Sequence, residues 1–201
     1  YKDNSIKYNI DEIIVSVGGK QVLYNALMSS INPGDEVIIP SPFWVSYPDM
    51  VSLAGGVPII VEGKEKNNFK IQPDDIRDKI STKTKWIIIN SPSNPTGSSY
   101  SAEELRDIGN LLLEYENIFV MSDDIYEKII YDDFKFFSLA EVVPELKDRI
   151  LTVNGVSKAY AMTGWRIGYA GGPKHLITAM SKLQSQSTSN PSSISQAAAL
   201  A

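Results

Sequence analysis

Short runs of β-branched and other apolar residues alternate with amphipathic stretches, and this alternation limits the possible folds more than any other feature of the chain. The pattern is typical of a mainly parallel sheet covered by helices. Runs such as Trp86-Ile87-Ile88-Ile89 are apolar throughout, as expected when both faces of a strand are buried. We predict an α/β fold with three α/β/α layers and a mainly parallel mixed sheet. The clearest strands are Glu36–Pro40, Val57–Val61, Lys85–Asn90, Ile118–Ser122, Ile150–Val153 and Ile167–Ala170.

Three amphipathic stretches are predicted as helices: Lys20–Ile31, Ser101–Tyr115, and a segment from Pro173 to about Ser187. Asn-Pro-Gly-Asp after the first stretch is a strong stop signal. The second opens with Ser101 and carries Glu104 three residues later, which is the pattern of a capping box. Proline is tolerated in the first turn of a helix, where we place Pro173. We find no repeat or linker, so residues 1–201 are predicted to form one domain.

Composition excludes several classes of function. The net charge is −5 and the 19 basic residues form no cluster, so we predict no nucleic-acid binding. With no cysteine and one histidine, disulfides, thiolate metal sites and cysteine nucleophiles are excluded, and no metal site is predicted. No apolar stretch approaches the roughly 18 to 20 residues of a membrane span. A cytoplasmic location is the default expectation, which the absence of disulfides permits.

Both ends of the chain suggest a piece of a longer protein. The sequence begins Tyr1-Lys2-Asp3 without an initiator methionine, and residues 195–201 have the pattern of a helix without a cap. We therefore expect further sequence on both sides.

One pair of cations stands out before any family is considered. Lys158 follows a predicted strand, at the edge where α/β proteins place ligands. Arg166, eight residues later, offers a bidentate partner for a phosphate. By spacing alone, an equally good interpretation is that both are surface cations on a loop.

The segment Gly-Val-Ser-Lys-Ala-Tyr-Ala-Met-Thr-Gly-Trp-Arg-Ile-Gly, residues 155–168, resembles the pyridoxal-phosphate (PLP) attachment signature of class I and II aminotransferases. The resemblance implies that Lys158 forms a Schiff base with PLP and acts as nucleophile and base, as lysine can when its pKa is lowered. It also implies that Arg166 grips the PLP phosphate. Gly155 stands where many members carry serine, which leaves one phosphate hydrogen bond open.

Two further segments resemble the same family. Asn94 lies in a loop similar to its Asn-Pro-x-Gly motif, and the likeness implies a hydrogen bond to the PLP phenolic oxygen close to the substrate carboxylate. Asp123 and Tyr126 match its Asp-x-x-Tyr motif. Asp123 would keep the pyridine nitrogen protonated, which makes the ring an electron sink, and Tyr126 would donate to the phenolic oxygen. Asp124 is the competing carboxylate, and by themselves these residues are also compatible with a turn-rich loop and strand-end acids.

The remaining matches concern the phosphate and the ring face. Gly18, Gly19 and Lys20 lead into a helix, whose N-terminal N–H groups can approach a phosphate. Trp44 matches the aromatic residue that stacks on PLP in the family and that lies near the substrate, with Phe43 as the alternative. Either ring could equally be an ordinary core aromatic.

The resemblance covers almost the whole chain, which we predict to be the large, PLP-binding domain of a fold type I enzyme. The segments around Lys158 and Trp44 are most similar to bacterial aspartate aminotransferases. That likeness implies transfer of the amino group from L-aspartate to 2-oxoglutarate by a homodimer. Alternatives are an aromatic, alanine or prephenate aminotransferase, a β-lyase, or a non-catalytic PLP-binding module. An N-terminal arm and a C-terminal small domain are expected outside the chain, so the segment alone is expected to hold PLP but to transaminate poorly or not at all.

Overall fold

A computed structural model describes residues 4–201, and within them a single mixed sheet of seven strands forms the centre of the fold. Its strand order is β1-β7-β6-β5-β4-β2-β3. Neighbouring strands from β3 to β6 run parallel, whereas β7 is antiparallel to both β6 and β1. The strands are β1 Ile13–Val17, β2 Glu36–Ser41, β3 Val57–Glu62, β4 Thr84–Asn90, β5 Phe119–Asp123, β6 Ile150–Gly155 and β7 Ile167–Gly171.

Helices cover both faces of this sheet, which confirms the predicted three-layer α/β/α fold. One buried cluster joins α1, α2 and α7 to the sheet, and a second joins α3, α4 and α5 to its other face. In β4, Trp86 and Ile88 belong to the first cluster, whereas Ile87 and Ile89 belong to the second. This alternation explains why the strand is apolar at successive positions. The helices are α1 Gly19–Ser30, α2 Ser46–Leu53, α3 Pro73–Arg77, α4 Ala102–Leu113, α5 Leu139–Val142, α6 Val156–Ala159, α7 Lys174–Ser185 and α8 Ser193–Leu200.

The structure differs from the sequence-based prediction at several elements. The six predicted strands are present, but β1 was not predicted. Its side chains alternate between exposed and buried, and it is an edge strand held by β7 alone. Helix α2 was also missed, because it is short and contains Pro48, and proline usually argues against a helix. The structure places Pro48 in the first turn, where proline is tolerated. Pro173 is the N-cap of α7 and not a residue of its first turn.

No helix within residues 4–201 has both the length and the apolar composition that crossing a membrane requires.

The parallel strands bring polar residues to one edge of the sheet. Asn90 and Asp123 end β4 and β5 and are paired in register. Gly155 ends β6 and is followed at once by α6, which carries Lys158. Carboxyl ends of parallel strands are where open α/β sheets bind ligands, so the topology places these residues at the edge where a site is expected.

Helix α4 begins with the predicted capping box. Ser101 Oγ accepts a hydrogen bond from the Glu104 N–H at 3.2 Å, and Glu104 Oε2 accepts one from the Ser101 N–H at 2.7 Å. The two bonds satisfy backbone donors that a helix start otherwise leaves without partners.

We predict that Ser101→Ala lowers the free energy of unfolding by about 1 kcal/mol, because it removes the acceptor at the start of α4. Urea denaturation of the full-length protein measures the change. Ser101→Asp restores an acceptor of similar capping strength and is the matched control. Equal destabilisation by both substitutions would contradict a capping role for Ser101.

Candidate active site

One cavity of about 270 Å³ opens at the carboxyl ends of β4, β5 and β6, beside the start of α1. All but one of the residues proposed from the sequence to contact a cofactor line this cavity. The exception, Gly18, lies directly against the Arg166 guanidinium. The proposed residues that line the cavity are Gly19, Lys20, Trp44, Asn94, Asp123, Tyr126, Lys158 and Arg166.

Asp123 is a buried carboxylate on the cavity wall, with only 4% of its surface exposed. The Tyr47 hydroxyl donates to its Oδ2 at 2.6 Å, and the Ile125 N–H donates to its Oδ1 at 3.3 Å. Burial raises the pKa of Asp123, because the charged form loses its hydration, while the hydrogen bond from Tyr47 acts in the opposite direction. Asp123 therefore presents a dry, oriented carboxyl group to the cavity.

Asp124, the alternative from the sequence, does not line the cavity. Its backbone N–H donates to the Val153 carbonyl, and Ser122 Oγ donates to its Oδ1 at 2.7 Å. Within residues 4–201, Asp124 Oδ2 has no hydrogen-bond partner. Burial raises the pKa of Asp124 to about 8. Of the two neighbouring carboxyls, only Asp123 is available to a ligand in the cavity.

Lys158 belongs to the short helix α6, lines the cavity and is exposed. Its Nζ lies 5.8 Å from the centroid of the Tyr126 ring. Tyr126 comes three residues after Asp123, so the turn that follows β5 brings a phenol and a carboxylate to the same cavity as this amine.

Gly155 ends β6 opposite Gly168 of β7. A Cβ atom at Gly155 would lie 2.8 Å from the Ile167 carbonyl oxygen and 3.1 Å from Gly168 Cα. The close approach of β7 therefore leaves no room for the serine that many family members carry at this position.

At the turn that leads into α1, Gly18 lies directly against the Arg166 side chain. Gly18 has φ +86°, and a Cβ atom there would overlap the Arg166 guanidinium. Arg166 itself is in the left-handed region, with φ 56° and ψ 52°. Its Nη1 donates to the Thr163 carbonyl at 2.8 Å and its Nη2 to the Val17 carbonyl at 3.5 Å. A non-glycine residue in this conformation is typical of functional sites.

The aromatic candidates are separated by the structure. Trp44 lines the main cavity, while Phe43 lines a smaller neighbouring pocket. Lys20 Nζ lies 4.7 Å from the centroid of the Trp44 ring. The Trp44 ring also meets the Tyr47 ring edge-on, with 5.4 Å between centroids. Of these two candidates, Trp44 is therefore the one available to a ligand in the main cavity.

Sequence reasoning did not assign Tyr47 and Asn90, which also line the cavity. Asn90 joins two of the loops, because its Oδ1 accepts from the Asn94 N–H at 2.8 Å and its Nδ2 donates to the Asp123 carbonyl at 2.9 Å. A polar residue at the end of an otherwise apolar strand was a signal that could have identified Asn90. Tyr47 gave no comparable signal, since it occupies a buried helix position like any core aromatic.

The fold and the cavity together define an α/β domain in which cationic side chains, a buried carboxylate and a helix N-terminus surround one ligand-sized cavity. All of residues 1–201 match the family model for aminotransferase class I and II. The chain is 62% identical over 199 residues to the Rickettsia conorii protein named "Probable aspartate/prephenate aminotransferase", and this match covers 99% of the chain and 50% of the relative. It is 55% identical to the aspartate/prephenate aminotransferase of Cereibacter sphaeroides, with the same coverage.

A crystal structure of the aspartate aminotransferase from Rhizobium meliloti superposes with a TM-score of 0.97 at 51% identity, covering 98% of this chain and 49% of that one. The chain belongs to the class I and II aminotransferases. It spans about half the length of the curated relatives that it matches.

Members of this family use pyridoxal 5'-phosphate, and the residues of the cavity fit that cofactor. A phosphate needs donors and positive charge, which Arg166 and the first N–H groups of α1 provide at one end. A protonated pyridine nitrogen needs a carboxylate, which Asp123 provides. An amine that can bind the cofactor covalently is present as Lys158.

Asp124 gives a pH-dependent prediction that does not involve the cavity. Its folded-state pKa of about 8 lies above the unfolded value of about 3.9. The folded state therefore binds the proton more tightly, and this carboxyl costs stability as the pH rises from about 4 to about 8. Asp124→Asn stays neutral, so we predict that it gains stability relative to the wild type between pH 5 and pH 8 in urea denaturation.

The exposed Asp107 on α4 is the matched control, because its replacement by asparagine changes the same charge at the surface. An equal pH-dependent gain in Asp107→Asn and Asp124→Asn would show that the buried site is not responsible.

Proposed function

We propose that the full-length protein is a PLP-dependent aminotransferase that transfers the amino group of L-aspartate to 2-oxoglutarate, giving oxaloacetate and L-glutamate. The observation that carries this proposal is that Lys158, Asp123 and Arg166, which are distant in sequence, line one cavity. The names of the relatives support aspartate as a substrate.

PLP, when bound, supplies a conjugated ring that accepts the electron pair of the substrate Cα–H bond. We propose that the Lys158 amine removes the proton from the substrate Cα and then donates that proton back as the product forms. A lysine amine can act as both nucleophile and base. Asp123 holds a proton on the ring nitrogen through its buried carboxylate. Both assignments are proposals supported by the cavity lining.

The remaining residues are proposed to orient the cofactor and the substrate. Arg166 binds the phosphate, together with the main chain of Gly18, Gly19 and Lys20 at the start of α1. Trp44 covers one face of the ring and excludes water.

Asn94 and Tyr126 complete this proposed set, as donors to the phenolic oxygen of the ring. Asn94 and Trp44 are also the proposed substrate contacts within this chain.

A second candidate differs only in the oxo acid. Relatives from Rickettsia conorii and Cereibacter sphaeroides carry names that include prephenate, which favours prephenate as an additional amino acceptor. The aromatic and alanine activities, the β-lyase and the non-catalytic PLP module stay alternatives. We propose the homodimer, the N-terminal arm and the C-terminal small domain for the full-length protein, and the cytoplasmic location stays a prediction.

We predict that Lys158→Ala abolishes the visible absorbance of covalently bound PLP in the full-length protein and lowers kcat by at least about 10²–10⁴-fold, the contribution of proton transfer alone. The control is Lys174→Ala, which removes a mostly exposed lysine paired with Asp11 at 2.7 Å. An unchanged absorbance spectrum in Lys158→Ala, or none in the wild type, would end the proposal.

Substrate preference is tested by comparing kcat/KM of the full-length protein for L-aspartate with that for aromatic and aliphatic amino acids, each with 2-oxoglutarate. We predict that aspartate is preferred by at least about tenfold, because a second carboxylate offers a charged interaction that an apolar side chain lacks. Prephenate is then offered as acceptor with L-aspartate as donor. A preference for an aromatic or aliphatic donor would replace the aspartate assignment.

A further inference from the structure

Tyr47 makes a buried hydrogen bond to Asp123 across 76 positions of sequence, with 2.6 Å between its hydroxyl and Asp123 Oδ2. Tyr47 is 2% exposed and Asp123 is 4% exposed, so neither group has ready access to water. A hydroxyl that donates to a carboxylate at this distance forms a strong, charge-assisted bond. The bond therefore fixes the orientation of the Asp123 carboxylate.

Asp123 needs this donor because burial works against its charge. Taking a carboxylate out of water favours its neutral form unless donors compensate. Of its two hydrogen bonds within the described residues, that from Tyr47 is much shorter than the 3.3 Å bond from the Ile125 N–H. Removing the Tyr47 hydroxyl would leave a buried carboxylate with one long bond.

The other ionisable groups near this pair act at a greater distance. Lys158, Lys20, Arg166 and Tyr126 line the same cavity. Asp124 follows Asp123 in the chain and disfavours its charge when ionised. None of these groups forms a hydrogen bond with Asp123 in the described part of the chain. Tyr47 is therefore the side chain that acts directly on the Asp123 carboxylate.

The same tyrosine also supports the aromatic wall of the cavity. Its ring meets the Trp44 ring edge-on at 5.4 Å, and its N–H donates to the Trp44 carbonyl at 3.0 Å. Trp44 lies in the loop that follows β2, and Tyr47 lies in the first turn of α2. The buried Tyr47 side chain thus contacts both Trp44, which is proposed to cover the cofactor ring, and Asp123, which is proposed to bind the ring nitrogen.

We propose that Tyr47 is a positioning residue that holds the Asp123 carboxylate ionised and aimed at the ring nitrogen of the cofactor, while its ring seats Trp44. The inference rests on the proposed function, since it assigns Asp123 to that nitrogen. It predicts that the Tyr47 hydroxyl matters for cofactors that carry a basic ring nitrogen and not for cofactors that lack one.

The test uses the full-length protein with Tyr47→Phe, which keeps the ring against Trp44 and deletes only the hydroxyl. We measure the affinity of the cofactor-free protein for PLP and for its 1-deaza analogue, which has carbon in place of the ring nitrogen. We expect affinity for PLP to fall about tenfold, the scale of a lost hydrogen bond to a charged group. Affinity for the deaza analogue should stay within about twofold.

Tyr100→Phe is the matched control. Tyr100 is 5% exposed, and its hydroxyl accepts a hydrogen bond from the Ile71 N–H at 3.0 Å, away from Asp123. Its loss should lower stability without discriminating between PLP and the analogue. If Tyr47→Phe weakened both cofactors equally, as a loss of packing would, the positioning role would be wrong.

A second measurement needs no cofactor. In the cofactor-free protein, carbon NMR of the Asp123 carboxyl group should give a higher pKa in Tyr47→Phe than in the wild type, because the donor that stabilises the charged form is gone. The acid limb of PLP affinity should move to higher pH in the same variant. An unchanged Asp123 pKa would overturn the inference.

Asp123→Asn completes a double-mutant cycle and covers the case in which one variant alone is unstable. In the Asp123→Asn background, Tyr47→Phe should cause no further discrimination between PLP and the analogue, and additive losses would contradict the inference. If the wild type bound neither cofactor, the proposed function itself would fail. Normal binding of PLP by both the wild type and Tyr47→Phe would remove only the role of Tyr47.

Discussion

The burial of the Asp123 carboxylate at the end of β5 is the constraint around which the site is organised. A buried charge is unfavourable unless hydrogen bonds and opposite charges compensate for lost hydration. In this chain the compensation comes from two separate elements: the Tyr47 hydroxyl from α2 and the Ile125 N–H from the turn after β5. The carboxylate can therefore stay dry and oriented, as a partner for a cationic ring nitrogen must be.

The sheet explains how such distant residues meet. Parallel strands β4, β5 and β6 end at one edge, so Asn90, Asp123 and the helix that carries Lys158 come together there. Arg166 comes directly before the antiparallel β7, whose first residue, Ile167, pairs with Val17 at the end of β1, so Arg166 meets Gly18 beside the start of α1. Hydrogen bonds hold the side chains at both places, and the arginine depends in addition on glycine at position 18 and on its own left-handed backbone.

The local signals in the sequence were sufficient for much of this arrangement. Apolar runs identified six strands, and the capping box located the start of α4, because both patterns depend on neighbours in the chain. Lys158 follows a predicted strand and its segment resembles a known signature, so Lys158 and Arg166 could be proposed from the sequence. The family spacing from Tyr126 favoured Asp123 over Asp124, and the cavity lining follows the same choice.

What sequence could not supply were contacts between elements. The bond from Tyr47 to Asp123 joins positions with no shared periodicity or motif, and β1 depends on pairing with β7.

The exposure of the cavity bears on function. This chain provides a cavity fitted to the cofactor, yet Lys158 and Arg166 are exposed within it. Proton transfer at a substrate carbon benefits from the exclusion of water. Since the chain spans half of its relatives' length, the proposed small domain and partner subunit are the natural source of that cover.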